Sequence, residues 1–144
     1  MNRRDVLTLG AVGGLGLSFE VLAQKAPAAA AKAAVDPAAL IKATEHCLST
    51  GQVCIEHCIR LLATGDKSII DCLDSSRSMV AICEALAHFA RVNSPHLKAL
   101  AALCAKVCRD CEKACAKHEL HHAQCKACAE SCRACAAECE KFAA

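Results

Sequence analysis

The chain contains no tryptophan and no tyrosine, and it has three phenylalanines in 144 residues. Proteins that grip single-stranded nucleic acid stack bases on aromatic rings along a basic groove. Here the rings are missing, and 17 Lys and Arg are interleaved with 15 Asp and Glu for a net charge of +2, so neither part of that apparatus is supplied. No apolar run approaches the roughly 20 residues that a permanent membrane span requires. Proline occurs three times, at Pro27, Pro37 and Pro95, which leaves long stretches without a helix breaker. Large aliphatic side chains are sparse as well: hydrophobic residues make up 55 % of the chain, but much of that share is Ala and Cys. A single domain of this length must therefore fill its core with small side chains.

Cysteine is what the chain has in abundance, with 14 residues. Usage at that level belongs to disulfide scaffolds and metal sites. Nine of the cysteines fall in one stretch, at 104, 108, 111, 115, 125, 128, 132, 135 and 139. Side chains three and four residues apart lie one turn above each other on a helix. The spacing therefore predicts two helices, each carrying a stripe of thiols. In an ordinary bundle those seam positions hold Leu, Ile or Val. A lone buried Cys is a small hydrophobe, but a whole register of them gives up burial energy at every site. Packing does not explain the choice.

Residues 1–23 have the form of a twin-arginine signal peptide. Arg3-Arg4-Asp5-Val6-Leu7 opens it, a weakly apolar run from Val6 to Phe19 follows, and Val21-Leu22-Ala23 offers small residues for a signal peptidase. That leader predicts export and a periplasmic location. The route it resembles carries proteins already folded, so the thiols would arrive packed inside, out of reach of disulfide-forming machinery. Residues 24–35 are Ala-rich and are expected to be a flexible lead-in, with 36–144 as the mature domain.

Asp36-Pro37 has the form of an N-cap followed by proline at the first helical position. A first helix is expected from Pro37 to about Ala63, with Leu40, Thr44, Cys47, Gly51, Cys54, Cys58 and Leu61 on its inner seam. Gly51 costs a helix about 1 kcal/mol against Ala and predicts a bend or break. After Thr64-Gly65-Asp66, a second helix begins near Lys67 or Ser68 and ends near Val92, with the seam Ile69, Cys72, Ser76, Met79, Cys83, Leu86 and Ala90. Asn93-Ser94-Pro95 repeats the cap-plus-proline start, so a third helix is expected from Pro95 to about Lys117. His118 to His122 forms a turn, and a fourth helix continues to about Phe142. The expected fold is all-α, an antiparallel up-down-up-down four-helix bundle with a Cys-lined core. That topology gathers Cys58, Cys72, Cys115 and Cys125 at one end, beside His57, His118, His121 and His122. It sends Cys47, Cys83, Cys104 and Cys139 toward the other end. At a rise of about 1.5 Å per residue, Cys125 to Cys139 spans roughly 21 Å, so the bundle encloses a tube of sulfur.

Several chemistries compete for such a tube. Disulfides within a helix are strained, because Cβ atoms at i and i+4 stand about 5–6 Å apart while a disulfide wants roughly 3.5–4.5 Å. Bridges between helices are feasible, but staples belong at loops. Cys108-x-x-Cys111 with Cys125-x-x-Cys128 has the spacing of a four-cysteine zinc site, yet it leaves Cys54, Cys58, Cys72, Cys83, Cys104 and Cys139 without a role. Iron–sulfur clusters take their thiolates from loops shaped round the cluster. A thiol oxidoreductase exposes one low-pKa CxxC pair at a helix N-terminus, whereas these pairs are mid-helix and inward. Cu(I) fits best: it is soft, favours thiolate and accepts low coordination numbers, so two sulfurs one turn apart can hold one ion. A lone copper between two thiolates leaves a net negative charge in a low-dielectric core, which is costly. Thiolates that each bridge two coppers, at one Cu(I) per Cys, leave the interior neutral, so multiple ions are expected.

His46-Cys47 with Cys54 and Glu56-His57-Cys58, then Cys108-x-x-Cys111-x-x-x-Cys115-x-x-His118, then Cys125-x-x-Cys128-x-x-x-Cys132-x-x-Cys135-x-x-x-Cys139 resemble the bacterial copper storage protein family. The resemblance covers the chain from about His46 onward, and the leader resembles that of the exported branch. It implies a four-helix bundle filled with Cys-bound Cu(I): a store without catalysis, supplying copper enzymes of the same cell and often assembled as a homo-tetramer. The protein that accepts the copper is unidentified, and neither nucleic acid nor membrane is expected as a partner once the leader is removed. A detoxifying sink or a delivery chaperone would need the same cage. The chain departs from exported members in having Ile69 and Ile70 where a methionine of the cage mouth is expected, which shifts uptake toward histidine. The candidate metal ligands are thus Cys47, Cys54, Cys58, Cys72, Cys83, Cys104, Cys108, Cys111, Cys115, Cys125, Cys128, Cys132, Cys135 and Cys139, with His57 and His118 at the mouth. Met79 lies on a seam, where packing competes with thioether ligation. His121 and His122 are expected on a solvated turn, and His46, His88 and His96 off the seams.

Overall fold

The computed structural model describes residues 37–144, and the leader, the lead-in and the Asp36 cap lie outside them. The order of elements is α1 (Pro37–Ala63), a 3₁₀ turn (Lys67–Ile69), α2 (Ile70–Arg91), α3 (Leu97–Ala116) and α4 (Ala123–Ala143). No strand occurs among the described residues. α1 packs on α2 and α4, and α3 packs on the same two. With short turns between successive helices, that neighbour pattern is the antiparallel up-down-up-down bundle. No described helix is long and apolar enough to cross a membrane.

The seams follow the helical period. Leu40, Thr44, Cys47, Gly51, Cys54 and Cys58 are the buried positions of α1, and Cys72, Ser76, Met79, Cys83, Leu86 and Ala90 recur along α2. Leu61, expected on the α1 seam, is only half-buried in the last turn. On α4 the charges at Lys126, Glu130, Arg133 and Lys141 face solvent. Arg109 of α3 bonds Glu140 of α4 at 3.0 Å, and Arg133 of α4 bonds Glu112 of α3 at 2.6 Å, so the outer faces of the last two helices are cross-linked.

The turns show how the chain ends one helix and starts the next. At the end of α1, Gly65 has φ of 92°. The Asp66 N–H reaches the Leu61 carbonyl at 3.1 Å and the Gly65 N–H reaches Leu62 at 3.0 Å. This is the Schellman closure, for which glycine is suited because a left-handed φ costs it nothing. Asn93 does the same after α2 with φ of 49°, the Ser94 N–H bonding Phe89 at 3.0 Å and its own N–H bonding Ala90 at 3.3 Å.

Three expectations are corrected. The second helix opens through a 3₁₀ turn because the Asp66 carboxylate accepts the Ser68 N–H at 2.9 Å and the Ser68 hydroxyl at 2.6 Å, capping a tighter coil first. α3 begins at Leu97 rather than Pro95. The Ser94 carbonyl takes the Leu97 N–H at 3.0 Å and the Ser94 hydroxyl takes the His96 N–H at 3.2 Å, which closes a turn ahead of the helix. Gly51 does not break α1, which is continuous. Its missing side chain is a matter of space: a Cβ there would stand 2.5 Å from Met79 Cε and 2.8 Å from Val80 Cγ2, so the glycine permits the close approach of α2.

Candidate metal centre

All fourteen cysteines are free and fully buried. At the end of the bundle that holds the first and third turns, Cys54, Cys58, Cys72 and Cys125 bring their Sγ atoms within 4.8 Å of one another. Cys72 is the hub: its sulfur lies 3.7 Å from Cys54, 3.9 Å from Cys58, 3.9 Å from Cys125 and 3.1 Å from Cys115. Cys54 and Cys128 with Cys115, and then Cys128 and Cys132 with Cys111, carry the run inward. Cys132 stands 3.7 Å from Cys47, which opens a second group of four with Cys83, Cys108 and Cys135. Cys135 is shared in turn with Cys104 and Cys139 at the far end. Because neighbouring groups share a member or a contact, the sulfurs form one continuous run. The zinc-type set Cys108, Cys111, Cys125 and Cys128 does not assemble: the structure puts Cys108 in one group of four and Cys125 in the other.

Two hydroxyls lie inside the run, Ser76 at its expected seam position and Ser131, which the sequence reasoning did not single out. Ser76 Oγ stands 3.6 Å from Cys111 and Cys115, 3.8 Å from Cys54 and 3.9 Å from Cys128, a hydrogen-bond partner at the centre of four thiols. Ser131 Oγ lies 2.5 Å from Thr50 Oγ1 and 3.9 Å from Cys47 Sγ. The signal for Ser76 was its place on the α2 seam between Cys72 and Cys83, where it interrupts the thiols. Among the described residues no buried side-chain nitrogen or oxygen lacks a partner.

The histidines gather at the turn end but stay apart from the sulfurs. His57 Nε2 lies 3.0 Å from His122 Nδ1, and the His118 ring centroid is 6.3 Å from that of His122. Among the described residues no histidine falls within the sulfur groups. His57 and His118 are half-buried, as is His122, which was expected on a solvated turn; the fold of that turn tips its ring onto His57. His121 is exposed, as are His46, His88 and His96.

The sequence profile of the copper storage protein family matches residues 33–144. The chain belongs to the copper storage protein family. Apo copper storage protein 3 from Bacillus subtilis has a TM-score of 0.67 and 30 % identity, covering 75 % of this chain and 99 % of that one. The Cu(I)-bound copper storage protein BsCsp3 has a TM-score of 0.70 and 30 % identity, covering 76 % and 100 %. An uncharacterized cysteine-rich protein of Bacillus subtilis, YhjQ, is 32 % identical over an alignment of 90 residues, and the match covers 54 % of this chain and 82 % of that protein.

In this copper storage bundle the protons on sulfur are unevenly held. Burial pushes the Cys58 thiol up to about 11, helped by the charge of Cys54. Cys125 is pushed up to about 12 by its hydrogen bond to Cys54 and by burial. Cys54 itself moves down, because the surrounding thiols of Cys115, Cys125, Cys128 and Cys72 favour its thiolate. Cys108, Cys111 and Cys135 are lowered by neighbouring thiols in the same way. Each sulfur group of this copper storage fold therefore contains at least one sulfur whose thiolate form its neighbours favour, and the group with Cys47 and Cys83 contains two, Cys108 and Cys135. His57 is lowered by burial and then by His122, which keeps its ring neutral at neutral pH.

Proposed function

We propose that the protein stores Cu(I) on its fourteen core cysteines, at about one ion per thiol, and holds it for copper enzymes of the same cell. The continuous run of free, fully buried sulfurs carries this reading, and the Cu(I)-bound relative of the same fold supports it. Every sulfur touches at least one other across a helix interface or along a helix, so each thiolate can bridge two ions and the loaded core is neutral. Cys47, Cys54, Cys58, Cys72, Cys83, Cys104, Cys108, Cys111, Cys115, Cys125, Cys128, Cys132, Cys135 and Cys139 are the proposed ligands. His57 and His118 are proposed to receive ions at the mouth, with His122 added to them by its bond to His57. No catalytic step is assigned to any of these groups.

The reading extends to the leader, for which we propose export of the folded protein to the periplasm by the twin-arginine route, and to assembly as a homo-tetramer. A sink and a store need the same cage, and biology separates them. Deletion of the gene is expected to lower copper-enzyme activity under copper limitation; growth impaired only under copper excess would instead make the protein a sink. Metal choice is tested by offering the anaerobically reduced protein equal Cu(I) and Zn(II) and counting both. Copper is expected to occupy the core, and retention of zinc in its place would refute the assignment.

A further inference from the structure

α2 is the helix poorest in thiols. Between Cys72 and Cys83 its buried positions are Leu73, Ser76 and Met79, none of them a thiol. Across from them, α1 presents Gly51 between Cys47 and Cys54. On this side of the bundle the ladder of cysteines is broken, while α3 and α4 carry theirs past the gap. The question is what Met79 does there.

Its side chain is fully buried, and its sulfur lies inside the run. Met79 Sδ accepts the S–H of Cys47 at 3.2 Å. Cys47 stands 3.7 Å from Cys132 and belongs to the group of four with Cys83, Cys108 and Cys135. Gly51 completes the arrangement, since a Cβ in its place would stand 2.5 Å from Met79 Cε and 3.6 Å from Sδ. The bare backbone of α1 thus leaves room for the methyl group of Met79, while Sδ meets Cys47. The neighbouring hydroxyl of Ser76 is a hard donor and offers copper little.

We propose that Met79 is a fifteenth sulfur ligand, which shares a Cu(I) ion with Cys47 in the middle of the bundle. The proposal rests on the reading of the core as a Cu(I) store. A thioether is a soft donor like a thiolate but carries no charge. A copper between one thiolate and one thioether is therefore neutral by itself, whereas one between two thiolates needs a further ion to cancel its charge. A thioether at the gap allows the metal to continue across the side of the core where cysteines are missing.

Met79 is the sole methionine besides Met1, which makes selenium a specific probe. The full chain is produced with selenomethionine, reduced, saturated anaerobically with Cu(I) and examined at the selenium X-ray absorption edge. The expected result is a copper neighbour around selenium that disappears in Met79→Leu, a volume-conserving swap that cores tolerate. A loaded protein whose selenium has only carbon neighbours would overturn the ligand assignment and leave the store intact. So would a copper neighbour that persists in Met79→Leu, because it would then belong to Met1. A chain that takes up no copper would overturn both the store and the ligand, and the metal count tells these outcomes apart.

Discussion

A cysteine in a helix seam buries less apolar surface than the leucine it replaces, at about 0.8 kcal/mol per missing CH₂, and in exchange offers a soft anion wherever a proton leaves. That trade is made at fourteen positions, all of them fully buried. Replacing one sulfur by an oxygen of similar size should therefore change capacity before it changes fold. Cys83→Ser, in the group with Cys47, Cys108 and Cys135, is expected to lower the saturating copper count by about one and to leave helix content unchanged by circular dichroism. Gly51 tests packing instead. Gly51→Ala gains up to about 1 kcal/mol of helix propensity but drives a methyl into Met79 Cε and Val80 Cγ2, and overpacking of that kind costs about 1–3 kcal/mol. A lower urea midpoint is expected for the apo protein. A midpoint equal to or above the parent's would mean that α2 moves aside freely.

At the level of the helices, most of the arrangement was legible in the sequence because a stripe every three or four residues can face only one way. Thr44, Cys47, Cys54 and Cys58 on α1, and Cys72, Ser76, Met79 and Cys83 on α2, are buried as their period predicts. What was not legible was decided by single contacts. The Asp66 carboxylate on Ser68 turned the start of the second helix into a 3₁₀ coil, and the hydroxyl and carbonyl of Ser94 delayed α3 to Leu97. His122 escaped because its inward tilt depends on the backbone of a turn and not on helical register. Gly51 was misread from propensity, since the space it leaves matters only once α2 lies against it. The turn after α2 gives a test of its own. Asn93 holds a φ of 49°, so Asn93→Ala should cost about 1 kcal/mol while Asn93→Gly leaves stability level or higher. Thermal melts of the two variants check the order, and equal melting temperatures would deny the strain.

Across the whole molecule, a core thin in large side chains is held by helix packing and by whatever fills the sulfur tube. Copper that binds only the folded state must stabilise it, so the melting temperature should climb with each equivalent added. Loading must also expel protons. With Cys58 raised to about 11 and Cys125 to about 12, both thiols are protonated at neutral pH, and each must lose its proton to bind copper as thiolate. Apparent affinity is therefore expected to fall as pH is lowered and to rise with pH until those thiols ionise. Unbuffered titration followed with a pH electrode reads this directly, and uptake without acid release would place copper on groups other than these thiols. The central claim rests on capacity. Fully reduced protein titrated anaerobically with Cu(I), against a strong chelator as competitor, should saturate near its fourteen thiols; a count of about one to four ions, or thiols that assay as cystines in the native protein, would contradict it.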